Sequence, residues 1–252
     1  MSGHSKWSTI KHGKAITDAR RGKLFGKLTR EILVAARQGG ANTDMNVRLR
    51  LAVQKAKDNN MPIDNIDRAI KRATGAGNAQ EQLEEIMYEG YGPGGAAILL
   101  QAFTDNRNRT ASDIRSTFAK NGGNLGESGC VAWIFEQKGV ITVEAPSEQA
   151  EELALMAIDL GADDFNIDDS NMDLYSAPNK FEALRKSLEE NQLKISSAEL
   201  SMLPKTTTPL DDKTAEQTLR LLDKLEDLDD VQKVYSNADF PEEILSKYIE
   251  EA

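Results

Sequence analysis

The 252-residue chain has one cysteine, two histidines and few aromatics. A single thiol, Cys130, leaves no intrachain disulfide to form and fits a reducing compartment. Between Gly129 and Val131 it reads as a small buried hydrophobe rather than a reactive group. His4 and His12 stand apart from any Cys or paired-acid array, so neither a metal centre nor a His-based catalytic site is expected. Uninterrupted apolar runs such as Ala96–Leu100 stay far short of the ~20 residues that a membrane span requires. The start, Met-Ser-Gly-His-Ser-Lys-Trp, has no apolar h-region, so no secretory signal is expected and a cytoplasmic location is.

The charge is unevenly distributed. The net of −10 hides a basic first third and an acidic remainder. Residues 1–79 carry 16 Lys/Arg against 6 Asp/Glu; residues 80–252 carry 15 against 35. Phosphates would be drawn to the first part and repelled by the second, which is expected to face away from them or to meet a basic protein.

Hydrophobic spacing gives the element order. Residues 1–15 lack periodicity and read as an arm. Leu24, Phe25, Leu28, Ile32 and Ala36 share one face of a helix over 16–38, ended by Gly39-Gly40. Helices over 46–58 and 63–73 follow, the last with acids early and Arg68, Lys71 and Arg72 late, as the helix dipole favours. Three helices with short loops predict a small bundle. Beyond residue 80 the texture changes to short strands around Gly92-Pro93-Gly94-Gly95 and a helix over 109–121. Strands are expected at 131–135 and 140–143, parted by a turn at Gln137-Lys138-Gly139. From residue 140 the order β-α-β-β-α-β is that of a ferredoxin-like unit. A last helix (213–227) and strand (231–236) need a sheet to join. The chain is therefore expected to be an α+β multidomain protein: a three-helix bundle (1–79) followed by two ferredoxin-like α/β domains, one discontinuous (80–136 plus 208–240) and one inserted in it (138–205). The acidic tail 241–252 reads as loose.

The candidate binding residues are chosen on charge and position. At 100° per residue, Lys23, Lys27, Arg30 and Arg37 fall opposite the apolar stripe. Only Asp18 and Glu31 balance nine cations within residues 1–39. A solvated surface helix also carries a charged face; the shortage of acids favours phosphate. The nucleic-acid-binding set is Lys6, Trp7, Lys11, Lys14, Arg20, Arg21, Lys23, Lys27, Arg30, Arg48, Arg50, Lys71 and Arg72. Trp7 suits stacking on an unpaired base and suits equally well docking on the bundle. Gly92–Gly95 lacks the Lys-Ser/Thr of a P-loop and reads as a hairpin turn. In Asp105-Asn106-Arg107-Asn108-Arg109-Thr110, Asp105 or Asn108 is the expected helix cap. Arg107 and Arg109 are either a second phosphate contact near that helix start or part of a polar junction bracing a domain interface. Glu226, Asp227, Asp229 and Asp230 have no catalytic neighbour and read as acidic surface. No catalytic residue and no cofactor is expected, and the chain is read as a monomer and not an enzyme.

Five ordered motifs carry a resemblance: Gly3-His4-Ser5-Lys6-Trp7, Arg21-Gly22-Lys23, Tyr88-Glu89-Gly90-Tyr91-Gly92-Pro93-Gly94-Gly95, Asp105–Thr110 and Gly122-Gly123-Asn124-Leu125-Gly126. Together they make the chain resemble the YebC/PmpR family over essentially its whole length. The resemblance implies three domains, a helical bundle and two α/β domains with one inserted in the other. It also implies a nucleic-acid-binding regulator of gene expression. Members are described as DNA-binding transcriptional regulators, and mitochondrial relatives as translational activators of cytochrome oxidase synthesis. A ribosomal role, binding ribosomal RNA and relieving stalling on proline-rich sequences, is the alternative it carries.

Overall fold

The computed structural model describes residues 18–75, 83–146, 148–168 and 171–250. The expected arm, with Lys6, Trp7, Lys11 and Lys14, lies outside them.

The first unit is a bundle of α1 (Asp18–Gly39), α2 (Val47–Asp58) and α3 (Ile63–Ala73). Leu28, Ile32, Leu49, Ala52, Ala56, Met61, Ile66 and Ala69 form its core. Asn46 fixes the α1–α2 corner. Its side chain caps α2 by accepting from the Leu49 N–H (3.0 Å), and its amide donates to the Ala35 and Gly40 carbonyls (2.8 Å each). That approach requires glycine at 39, where a Cβ would lie 2.6 Å from Asn46 Nδ2.

The host sheet contains β1 (Glu84–Tyr91), β2 (Ala97–Thr104), β3 (Asn124–Leu125) and β9 (Val231–Ser236), in the order β3-β1-β2-β9 and antiparallel throughout. β1 and β2 are joined by a 3₁₀ turn, Pro93–Gly95, in which Gly94 and Gly95 take φ of 70° and 81°. Both faces of β2 are covered. Ile98 and Leu100 pack under α4 (Arg107–Lys120) and α7 (Asp212–Glu226), against Ile114, Phe118, Leu219 and Leu222. Ala97 and Leu99 pack on the other face with Val131, Ile134, Phe135 and Tyr235. Burying each large side chain contributes roughly 1.5–3 kcal/mol.

The second sheet is built from β4 (Phe135–Glu144), β5 (Asp164–Asp168), β6 (Asn171–Ser176) and β7 (Ile195–Pro204), with α5 (Ala150–Asp159) and α6 (Phe181–Glu190) against it. Its antiparallel order β5-β6-β4-β7 is the ferredoxin-like arrangement expected from the β-α-β-β-α-β order. β8 (Thr208–Pro209) and β10 (Ala238–Asp239) form a short parallel pair beside the host sheet.

Four local expectations need correction. Residues 132–134 are a 3₁₀ turn, and β4 runs unbroken through Gln137-Lys138-Gly139. Gly139 marks close packing rather than a turn: a Cβ there would meet Phe181 Cδ2 at 2.4 Å and Ser176 Oγ at 2.6 Å. The tail is α8 (Glu242–Glu250), not a loose end, because Ile244, Leu245 and Tyr248 pack on the host core. Neither Asp105 nor Asn108 caps α4. Asn106 does, accepting from the Arg109 N–H at 3.1 Å.

Candidate nucleic-acid interface

Lys23, Lys27 and Arg30 recur along one side of α1, as their spacing predicts. That side faces the body. Lys23 Nζ donates to the Asp227 carbonyl (3.2 Å) and Lys27 Nζ to that of Glu226 (2.5 Å). Arg30 donates to the Asp229 carbonyl and lies 3.8 Å from the Asp230 carboxylate. The acceptors are the last carbonyls of α7 and the turn beyond it. A helix leaves its final carbonyls without intrahelical partners, and its dipole makes that end negative. The cations of α1 cap α7 from outside.

Asp230 anchors this contact. Its carboxylate accepts from Thr110 Oγ1 (2.7 Å) and Arg109 Nη2 (3.0 Å), and Arg109 also pairs with Asp105 (2.7 Å). Burial pushes the Asp230 carboxyl up, but the Thr110 hydroxyl and the Arg109 and Arg30 guanidinia outweigh it and hold it below the ordinary range. A cleft of about 410 Å³ opens at this junction, lined by Lys23, Arg30, Arg109, Asp113, Asp227 and Asp229 among others. Its cations are matched by acids. Arg109 thus sits in a brace between α4 and the end of α7, and the exposed Arg107 pairs with Glu84 at 3.5 Å.

A second set of contacts joins α2 to the body. Arg48 bonds Glu31 (3.0 Å), Glu85 (2.8 Å) and Gln38 (2.7 Å), with its guanidinium 5.6 Å from the Phe103 ring centre. Burial alone would lower the Arg48 pKa; the Glu85 and Glu31 carboxylates raise it. Burial likewise opposes ionisation of Glu85, yet Arg48, Gln101 and Gln38 hold its pKa down. Arg50 pairs with Glu182 (2.8 Å) and Lys55 with Glu199 (3.0 Å), which also meets Lys233 (3.3 Å). Five cations singled out from sequence for phosphate (Lys23, Lys27, Arg30, Arg48 and Arg50) thus end on the protein's own carbonyls and carboxylates.

The outer surface of the bundle carries a different set. Arg21, Arg37, Lys57, Arg68, Lys71 and Arg72 are exposed. Arg68, Lys71 and Arg72 lie on α3, whose Ile66 and Ala69 turn into the core. Arg20 is in the first turn of α1. Sequence reasoning did not pair cations with acids across the domains, although the opposite charges of the two parts were the signal for it.

A buried carboxylate orders the loop after β3. Glu89, 5% exposed, accepts from the N–H groups of Gly129 (2.6 Å), Val131 (2.7 Å) and Ala132 (2.7 Å). Burial pushes its carboxyl up; the three N–H donors more than reverse this. The neighbouring Cys130 thiol is half-buried and pushed up by burial and by the Glu89 charge, the opposite of a reactive thiolate. Among the described residues no group of three or more His, Cys, Asp or Glu is placed to hold a metal ion.

Two family descriptions cover this architecture. "TACO1/YebC protein N-terminal domain" matches residues 5–76 and "TACO1/YebC second and third domain" matches residues 83–238. The chain belongs to the TACO1/YebC family. A probable transcriptional regulatory protein of Dehalococcoides mccartyi is 56% identical over 252 residues, covering all of both chains. One from Halothermothrix orenii is 53% identical over 254 residues, again covering both chains fully. The crystal structure of a conserved hypothetical protein from Aquifex aeolicus superposes with a TM-score of 0.83 at 48% identity, covering 90% of this chain and 94% of that one. The TACO1/YebC relatives are thus named as regulators rather than as enzymes. No helix among the described residues is long and apolar enough to cross a membrane.

Proposed function

We propose that this TACO1/YebC protein regulates gene expression by binding nucleic acid through its N-terminal bundle, with DNA as the target that its relatives' names favour. One observation carries this reading: exposed cations cover the outside of the bundle, while the body is strongly acidic. Arg21, Arg37, Lys57, Arg68, Lys71 and Arg72 are exposed on the bundle, and Lys6, Trp7, Lys11, Lys14 and Arg20 add to the proposed binding set on charge and sequence position. Such a surface tracks phosphates without reading bases, so it supports affinity rather than sequence choice. The three-domain division at 1–79, 80–136 with 208–240, and 138–205 belongs to the same reading. The protein acts in the cytoplasm as a binding protein rather than a catalyst.

Fluorescence anisotropy with a DNA duplex and a ribosomal RNA hairpin of about 25 base pairs, at roughly 50 and 200 mM salt, tests it. Binding that weakens steeply with salt is expected, and Lys71→Glu with Arg72→Glu should weaken it about tenfold or more. No binding to either probe at the lower salt would overturn the proposal. Tighter binding to the RNA would move the target from DNA to the ribosome.

A further inference from the structure

We propose that the protein holds its own basic helix in store: the acidic end of α7 occupies Lys23, Lys27 and Arg30 as a phosphate backbone would, and nucleic acid gains them only by displacing it. The inference rests on the function proposed above and concerns the regulation of that same surface.

The geometry supports it in three ways. First, the three cations stand on successive turns of α1 and meet three neighbouring acceptors, the carbonyls of Asp227, Glu226 and Asp229. A row of partial negative charges at the end of a helix, reinforced by the Asp230 carboxylate, presents to α1 what a run of phosphates would present. One set of ammonium and guanidinium groups cannot serve both at once. Second, the bundle keeps its apolar core to itself. Among the described residues that core is drawn from α1 to α3 and the turn at Met61. Many of its contacts with the body are polar: α1 on the end of α7, Arg48 on Glu85, Arg50 on Glu182 and Lys55 on Glu199. Leu51 packs against the core of the second sheet, and Leu33 and Val34 of α1 are buried without belonging to the bundle's own core. A polar interface of this kind permits relative domain motion, and salt weakens it. Third, the acidic end does not depend on α1 for its shape. Asp230 is held by Thr110 and Arg109 of α4, and the Asp230 carbonyl accepts from the Phe103 N–H at 2.8 Å. It remains formed when α1 leaves.

The release is a population shift. A polyanion that binds the open form better than the closed one draws the bundle away, by no more than its difference in affinity for the two. The closed form therefore lowers apparent affinity, and weakening the contact raises it.

The test uses the full-length protein and the same DNA duplex. Asp227→Asn with Asp229→Asn removes two exposed charges at the α7 end and leaves every cation in place. Glu151→Gln with Glu152→Gln, two exposed acids on α5, makes the same change in net charge away from the contact. The first pair should tighten binding about three- to tenfold, the range expected of exposed charges, and the second should leave it nearly unchanged. In parallel, dyes at Gln54→Cys and Glu216→Cys, on a Cys130→Ser background, report the distance between bundle and body. Transfer efficiency should fall on adding duplex and on raising salt without it. Equal tightening by both pairs, or binding with unchanged transfer efficiency, would overturn the masking and leave the proposed function standing. Absence of binding by the wild type and by both variants would overturn the proposed function, and this inference with it.

Discussion

The bundle meets the body largely through ions, whereas the two sheets of the body meet largely through uncharged side chains, with the Lys233–Glu199 pair beside them. Between the sheets, Val131, Ile134, Phe135 and Tyr235 pack with Ala97 and Leu99, and Met202 of β7 joins them. Between bundle and body, carboxylates and helix-end carbonyls face Lys and Arg, most of them part-exposed. The first kind of contact is indifferent to salt and lost only when the core opens. The second is worth little per pair in water and weakens with ionic strength. The two contacts thus differ in which forces join them, and in how each should answer to salt.

The contrast can be broken at graded cost. The largest effect is expected in the host core. Phe118→Ala should lower global stability by about 3–5 kcal/mol, read from denaturant unfolding, because Phe118 is fully buried on the inner face of α4 in the host core. A loss below about 1 kcal/mol would mean that the core is not the cooperative unit described here. Next comes the internal carboxylate. Glu89→Gln replaces one acceptor with a donor facing three N–H groups and should cost about 1–3 kcal/mol. Unchanged hydrogen exchange at Gly129, Val131 and Ala132 would sink that assignment.

The effect of pH is smaller and has a fixed sign. The Glu85, Glu89 and Asp230 carboxyls are all held below their ordinary values in the folded protein. The stability each contributes is fully present above the unfolded carboxylate range near pH 4 and is lost as pH falls through the depressed folded value. Melting temperature should therefore drop on acidification from about pH 5 downward, and Asp230→Asn should flatten part of that drop. A steeper drop in Asp230→Asn than in the wild type would contradict the sign. The smallest effect is expected at the outer contacts. A double-mutant cycle on Lys55 and Glu199 should return less than about 1 kcal/mol, shrinking further with added salt. A larger coupling would make this interface rigid and weigh against stored release.

Most elements were legible because hydrophobic spacing reports how each one faces its own core. The stripe Leu28, Ile32 and Ala36 did so directly. Gly139 was misread because a glycine that makes room for Phe181 looks like a glycine that makes a turn. The stripe Ile244, Leu245 and Tyr248 was present in the tail, but the acids around it spoke louder than its period. The candidate site was legible in composition and not in direction. Lys23, Lys27 and Arg30 were identified as a charged row, but nothing in a one-dimensional pattern says whether such a row faces solvent or another domain. Whether they also meet phosphate is the subject of the displacement experiment.

The strand order of the host sheet has a consequence for how the chain is made. β2 is complete at residue 104, yet its partner β9 spans residues 231–236. The second sheet lies wholly within the interval, so it can close on contacts much nearer in sequence. Closing distant contacts late is slow, and an unpaired central strand is a hazard during synthesis. On a ribosome, the second sheet is therefore the first part of the body able to finish folding. β2, with Ile98 and Leu100 on its face, waits for β9 to emerge, and a stop codon or stalled ribosome short of residue 236 would leave that hydrophobic edge open.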